Sequence, residues 1–237
     1  MPPVLATVDT VTDLAAFYVD PPDGVRANMI FSADGAAAFA GRAGPLSNAV
    51  DQQLLAILRG FADVVLVGAG TARAENYGPV RLSESQRVQR RVEGRPETPP
   101  IAVVSRSGNL PSRLADDPDQ PPILVTCGRT ESGDEAGGDR SLRVFDAGED
   151  SVDIARAVQV LTAAGMPRIL CEGGPTLLDE LVEKDALDEL CVTIAPKLAA
   201  SQPVRESARV SALPAPRDMR LQHALTHGDY LFLKYRR

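Results

Sequence analysis

Apolar residues fall along this chain in two rhythms. The first is the short unbroken run. "VRANMIFSADG" (Val25–Gly35), Val64–Val67, "PPIAVVSRSG" (Pro99–Gly108), "PPILVTCGRT", "PRILC" and "LDELCVTIAPKL" each hold a strand-length apolar stretch that closes on glycine, proline or polar residues. Runs of this kind read as strands buried on both faces. The second rhythm is helical. Val50, Leu54, Ile57, Leu58 and Phe61 recur at helical spacing behind Ser47 or Asn48, either of which can cap the helix. A helix is predicted from a Ser151 cap to Ala164, stopped by Gly165, and another carries Leu177, Leu178, Leu181 and Val182. A short helix is expected around Asp13–Tyr18.

Strands and helices alternate, which predicts an α/β fold: one mixed, mostly parallel sheet with helices on its faces. "LQHALTHGDYLFLKYRR" alternates like two strands about a turn at His227-Gly228-Asp229, so the sheet ends in a C-terminal antiparallel hairpin. The stretches 83–99, 109–121 and 131–141 are polar and read as surface loops. No linker separates the elements, so residues 1–237 are expected to form a single domain, with 1–24 as an N-terminal extension.

Composition narrows the function. Hydrophobic residues make up 44% and charged residues 24%, as in an ordinary globular protein. Net charge is −7 and the basic residues are scattered, which argues against nucleic acid or a membrane surface as a partner. The three cysteines, Cys127, Cys171 and Cys191, lie far apart and read as buried thiols in a reducing compartment. No signal-like or membrane-length apolar segment is present, so a cytoplasmic protein is expected. His223 and His227 are four apart in a segment that alternates like a strand, with no third ligand near in sequence, so no metal is expected.

Chemistry gathers at glycine turns. Gly68-Ala69-Gly70-Thr71 follows a strand, but a dinucleotide fingerprint would need glycine where Arg73 stands. "ARAENYGPVR" then shows little helical periodicity. A plain strand-to-loop turn, or a cofactor approach in another fold, both remain open there. Glu172-Gly173-Gly174-Pro175-Thr176 does lead into a helix, with proline in its first turn. Free amides and the positive end of the helix dipole make that start a physical site for a pyrophosphate, and tight strand–helix packing is the alternative. Ser105-Arg106 and Gly128-Arg129 end two further strands, and a guanidinium there can grip a 2′-phosphate.

"ANMIFSADG", "LRGFADVVLVGAGT", "ILCEGGPTLLDEL" and "DELCVTIAPKL" together resemble the reductase domain family of riboflavin biosynthesis, from about Val25 to the C-terminus. The resemblance implies a dihydrofolate reductase-like fold, NADPH, and hydride transfer to 5-amino-6-(5-phosphoribosylamino)uracil, whose ribosyl group becomes ribityl. It implies cofactor contacts from Gly68, Gly70, Thr71, Ser105, Arg106 and the stretch Gly173, Gly174, Pro175, Thr176 and Leu177. Glu75 stands where the family usually has an aspartate near the cofactor. Asn28, Ser47 and Glu172 would face the substrate, and Arg59 with Arg81 would reach its phosphate. Asp34 matches the acid of the family's S-L-D-G motif, here S-A-D-G. Reduction of an open-chain imine leaves a nitrogen that needs a proton, and Asp34 and Glu172 are both candidates to deliver it. Homodimers are usual among such relatives.

Two departures carry weight. The chain lacks the H-x-E and P-C-x-x-C signature of the zinc deaminase that often precedes this domain, so it is not expected to deaminate. Where the family shows Ser-x-Trp-Ile, this chain reads "GRAGPLSN" and has no tryptophan. Ser47 and Asn48 are the residues available to replace those contacts. Either the same substrate is held differently, or the substrate is dihydrofolate or another pterin or pyrimidine. A relative that binds a nucleotide without turning anything over is the reading from another class.

Overall fold

Unbroken apolar runs become the middle of one sheet. The computed structural model describes residues 3–128, 142–200, 211 and 213–237. In chain order the elements are β1 (Val4–Thr7), α1 (Val11–Ala16), β2 (Gly24–Ser32), α2 (Ala49–Phe61), β3 (Val64–Gly68), α3 (Ala69–Ala74), α4 (Glu84–Val92) and β4 (Ile101–Val104). A 3₁₀ turn follows, then β5 (Ile123–Thr126), β6 (Arg143–Asp146), α5 (Ile154–Ala163), β7 (Arg168–Cys171), α6 (Pro175–Glu183), β8 (Glu189–Ala195), β9 (Arg220–His227) and β10 (Tyr230–Arg236). The ten strands run in the order β1-β9-β10-β8-β2-β7-β3-β4-β5-β6. Among the described strands, β9–β10 and β10–β8 pair antiparallel and the other neighbours pair in parallel. The mixed, mostly parallel sheet and the C-terminal hairpin are therefore as the sequence predicts.

Alternate residues of the central strands feed two cores. Val65, Val67 and Leu170 pack with Leu54 and Leu58 of α2 on one face. Val64, Leu66 and Ile169 pack with Leu161 of α5 and Leu181 of α6 on the other. Leu54 and Leu58 are each 1% exposed. Burying each contributes about 1.5–3 kcal/mol, which is what fixes α2 across the sheet.

The structure corrects several local expectations. The N-terminal extension carries the short helix expected there, α1, and is also tied into the sheet. β1 pairs in parallel with β9 at the sheet edge, and Leu14 of α1 is fully buried. Residues 17–20 are tied down by cations, of which Lys234 and Arg26 are buried: Lys234 Nζ donates to the Phe17 carbonyl at 2.5 Å, Arg26 to that of Tyr18 at 3.1 Å, and Arg236 to that of Asp20. Periodicity misses this because the cost of leaving backbone carbonyls unpaired is met by side chains far off in sequence. The polar stretch 83–99 is likewise more than a surface loop. It contains α4, opened by a capping box between Ser83 and Gln86. Arg90 of α4 is 1% exposed and donates to the carbonyls of Gly60, Ala62 and Pro96, closing the end of α2. The cap of α5 is Asp153, which accepts from Ala155 and Arg156, rather than Ser151. β6 was not foreseen because Arg143–Asp146 has only two apolar residues. Arg129, Thr130 and the stretch 131–141 lie outside the described residues. Among the described residues, no helix is long and apolar enough to cross a membrane.

Candidate active-site cleft

The two glycine turns meet, although Gly68 and Gly173 are 105 residues apart in sequence. β3 and β7 are parallel neighbours, so their carboxyl ends lie side by side. Gly68 N–H donates to the Gly173 carbonyl at 2.9 Å. Gly68 is the N-cap of α3 and Gly174 the N-cap of α6, and neither cap offers a side chain to the first-turn amides. Proline at the start of α6 removes one donor that would otherwise go unmatched. The glycines are required by close approach. A Cβ on Gly174 would stand 2.4 Å from Thr71 Oγ1, and one on Gly173, at φ +83°, 3.1 Å from the Met29 sulfur. The 173–174 peptide is cis. The expectation of little helix after Thr71 is corrected: α3 forms at once, though it lasts only six residues.

A cleft of about 1230 Å³ opens over these helix starts, at the carboxyl ends of β2, β3 and β7. One drug-sized ligand needs roughly 300–1,000 Å³, so two can lie together here. Such crevices at strand carboxyl ends are where open α/β sheets bind ligands. Gly68, Gly70, Thr71, Glu75, Gly174, Pro175, Thr176 and Leu177 line it, and so do Asn28, Asp34, Ser47, Arg59 and Glu172. Ser105, Arg106, Arg81 and Gly173 are not among its lining residues. Ser105 is buried at the end of β4 beside the start of α3, whereas Arg106 and Arg81 are exposed.

At the floor, the buried carboxylate of Glu172 is the hub of a polar triad with the half-buried Arg59 and Tyr77. Its carboxylate accepts from Arg59 Nε and Nη2, both at 2.7 Å, and from the Tyr77 hydroxyl at 2.6 Å. The Arg59 guanidinium also sits 5.6 Å from the centre of the Tyr77 ring. Burial works against the charge on Arg59, but the Glu172 carboxylate outweighs it and pushes the pKa up. Burial first, then the same carboxylate, raises the Tyr77 phenol well above 10, so it stays protonated and donates. Two of the five N–H donors of Arg59 are used by Glu172, which leaves others for a ligand. Sequence reading missed Tyr77. Its only signal was an isolated aromatic in "ENYGP", on the loop that follows α3.

Asp34 does different work. Its carboxylate accepts from Ser32 Oγ at 2.5 Å and from the amides of Ala199 and Ala200. The Ser32 hydroxyl, then those amides, hold its pKa below the ordinary value. Asp34 thus ties the end of β2 to the segment after β8. Glu75 fastens the next loop, accepting from the Ala43 amide at 2.5 Å with Arg42 nearby at 3.6 Å. The run of small residues from Gly35 to Gly44 forms one wall of the cleft, a second feature the sequence reading passed over. Asp34 and Glu172, the two proton-donor candidates, are both acceptors in this structure.

A large cleft over two side-by-side helix starts is thus the candidate site of this α/β sheet. The sequence matches the model of the RibD C-terminal domain over residues 24–228, and the chain belongs to that family. Among curated relatives, the 2,5-diamino-6-ribosylamino-4(3H)-pyrimidinone 5′-phosphate reductase of Archaeoglobus fulgidus is 27% identical over 149 residues, covering 62% of this chain and 67% of the relative. The enzyme of the same name from Methanothermobacter thermautotrophicus is 25% identical over 213 residues, covering 88% and 95%. A pyrimidine reductase-like protein of Corynebacterium diphtheriae superposes with a TM-score of 0.78 at 25% identity, covering 97% of this chain and 98% of that one. The bifunctional deaminase/reductase of Thermotoga maritima gives 0.68 at 18% identity, covering 91% of this chain and 56% of its own length, and so supports the fold alone.

Proposed function

We propose that this protein is an NADPH-dependent reductase that converts the ribosyl group of a phosphoribosylaminopyrimidine, of the 5-amino-6-(5-phosphoribosylamino)uracil type, to ribityl. The reading rests on one observation above others. Two helix starts without side-chain caps lie side by side, with no room for a Cβ at Gly174, under a cleft large enough for two ligands. The first-turn amides of α3 and α6 suit the diphosphate of a dinucleotide, and Thr71 and Thr176 add hydroxyls. Ser105 stands one strand over, beside α3.

When bound, the reduced nicotinamide supplies the hydride, which ends on C1′ of the open-chain ribosyl imine. The protein's own part is positioning. Glu172 and Tyr77 hold Arg59 so that its remaining N–H groups meet the substrate phosphate. Asn28 and Ser47 orient the base. Asp34 and Glu75 fasten the small-residue wall that excludes bulk water. Because Asp34 and Glu172 both accept hydrogen bonds, the proton for the substrate nitrogen comes through cleft water, with the protonated Tyr77 phenol at hand. A homodimer and a cytoplasmic location belong to the same proposal.

Reduction of dihydrofolate or another pterin is the second reading, and one observation favours it. Among the described residues, seven carboxylates line the cleft against one arginine, and that arginine is already paired. Loss of nicotinamide absorbance, measured with each substrate in turn, tests both readings. Arg59→Ala should raise KM for the phosphorylated pyrimidine by about 10- to 150-fold, since a charge-assisted contact is worth about 1.5–3 kcal/mol. No oxidation of NADPH with any of these substrates would refute the reductase reading.

A further inference from the structure

Tyr77 touches both of its partners in the triad. Its hydroxyl donates to Glu172 at 2.6 Å, and its ring centre lies 5.6 Å from the Arg59 guanidinium. Yet Tyr77 stands on neither helix nor strand. It follows the six-residue α3 on a turn, and a misplacement of about 1 Å there would break a hydrogen bond of this length. Two ties run back to α3: Tyr77 N–H donates to the Ala72 carbonyl at 2.9 Å, and Asn76 N–H to that of Arg73 at 3.2 Å. Asn76 itself takes the left-handed conformation, at φ +52°.

Arg113 holds the same turn from outside. It belongs to the 3₁₀ turn Ser112–Ala115, in a stretch that sequence presents only as a polar loop. Its Nη1 donates to the Asn76 carbonyl at 3.0 Å. Its guanidinium also covers Gly78, where a Cβ would stand 3.3 Å from Nη2 and 3.5 Å from both Cζ and Nε. Tyr77 lies between these two contacts. The tie is reciprocated, since Arg73 of α3 donates to the Asn109 carbonyl at 3.3 Å. Leu114 is 2% exposed and roots the 3₁₀ turn in the core cluster against which Tyr77 packs. The Arg113 side chain is 48% exposed, and Arg113 is not among the residues that line the cleft. Asp116 approaches its Nε only to 3.7 Å, so its hydrogen bond goes to the Tyr77 turn rather than to an acid.

We propose that Arg113, from outside the cleft, is a positioning residue for the anion-gripping end of the substrate groove, and that it acts through Tyr77. Arg113 fixes the 76–78 turn, and the turn fixes the phenol. The phenol and Arg59 share the Glu172 carboxylate, so Arg59 is left one orientation in which to present its remaining N–H groups. Donors held in advance bind an anion more tightly, because less side-chain freedom is lost on binding. The inference rests on the reductase reading for the role of Arg59, but anion affinity can be measured without turnover.

The test titrates the full chain with ribose 5-phosphate and with ribose, followed by NMR, in the wild type, Arg113→Ala, Arg113→Lys, Tyr77→Phe and the Arg113→Ala/Tyr77→Phe double variant. Arg113→Ala and Tyr77→Phe should each weaken binding of ribose 5-phosphate by about 3- to 10-fold and leave ribose unchanged. Arg113→Lys should recover part of the loss, since lysine can still donate to the Asn76 carbonyl. The double variant should match Tyr77→Phe within about twofold, because Arg113 then has no phenol to position. The Arg59 Nε–H resonance should broaden in both single variants, a signature that a loss of bulk stability would not produce. Unchanged affinity in Arg113→Ala, losses that add in the double variant, or a wild type that binds ribose 5-phosphate no better than ribose would overturn the assignment. If Arg113→Ala folds poorly, Arg113→Lys and Tyr77→Phe carry the same comparison. Weakened ribose 5-phosphate binding in the variants, with no NADPH oxidation by the wild type on any substrate, would sink the reductase reading and leave Arg113 its positioning role. Turnover by the wild type with the same KM in Arg113→Ala would sink the positioning role alone.

Discussion

Replacing Glu172 by glutamine probes the triad at the cleft floor. Glutamine keeps the shape of the side chain but removes the charge and turns one acceptor into a donor. It can still accept from Arg59 or Tyr77, yet its amide N–H₂ then opposes another N–H or the phenol. The Glu172 side chain is 3% exposed and that of Arg59 19%. Removing one partner of a buried pair costs about 3–5 kcal/mol, and the partial exposure of Arg59 argues for the lower end, about 3 kcal/mol. With a urea dependence near 3 kcal/mol per molar, the midpoint should fall by about 1 M. The assay is urea unfolding of the wild type, Glu172→Gln, Arg59→Met and the double variant. The single losses should be strongly non-additive, with coupling of about 1–3 kcal/mol. Activity of the folded variant should show a raised KM for the phosphorylated substrate with a smaller change in kcat, since Glu172 acts by holding Arg59. A stability loss below about 1 kcal/mol with additive singles would refute the reasoning, because it would mean the pair is screened like a surface ion pair.

Three further outcomes follow from individual contacts. Gly174→Val should abolish most NADPH affinity while the protein remains folded, and part of the stability lost by Gly174→Ala should return in a Thr71→Ala background, because Thr71 Oγ1 is what the new Cβ meets; calorimetric titration and thermal melts check both. Asp34→Asn keeps an acceptor toward Ser32 and the 199–200 amides, so kcat should fall less than tenfold; a loss of about 100-fold or more would make Asp34 a proton donor after all. His223 is packed between Phe17 and Tyr18, with Lys234, Arg26 and Asp20 as the charged groups around it. Burial, then Lys234, lowers its pKa from 6.5 to about 4. The folded state therefore binds fewer protons than the unfolded one, so this contribution is complete above about pH 6.5 and is lost as pH falls toward about 4. Between about pH 8 and pH 5 the loss is about 2 kcal/mol, and His223→Gln should remove that part of the pH dependence in urea melts.

The sequence announced the sheet because strands buried on both faces leave uninterrupted apolar runs. It also announced α2 and α6, whose apolar stripes repeat at helical spacing. Elements held by polar contacts were silent. α4 is secured by Arg90 reaching the end of α2, and residues 17–20, just past the short N-terminal helix that was expected, by Arg26, Lys234 and Arg236, none of which leaves a local pattern. Much the same holds for the cleft. Its glycine turns were legible because glycine before a helix is unusual, and the family resemblance extended them to Arg59 and Glu172. What the sequence could not carry was pairing. Arg59 and Glu172, 113 residues apart, grip one another, and Tyr77 completes the set.

The central claim, that the joined starts of α3 and α6 hold the diphosphate of NADPH, is tested most directly by a crystal structure of the protein soaked with NADPH. The diphosphate should lie within hydrogen-bond distance of the first-turn amides of both helices, with the nicotinamide in the cleft above Glu172 and Asn28. Crystals that take up no nucleotide at millimolar concentration, or that bind it on another surface, would contradict the account.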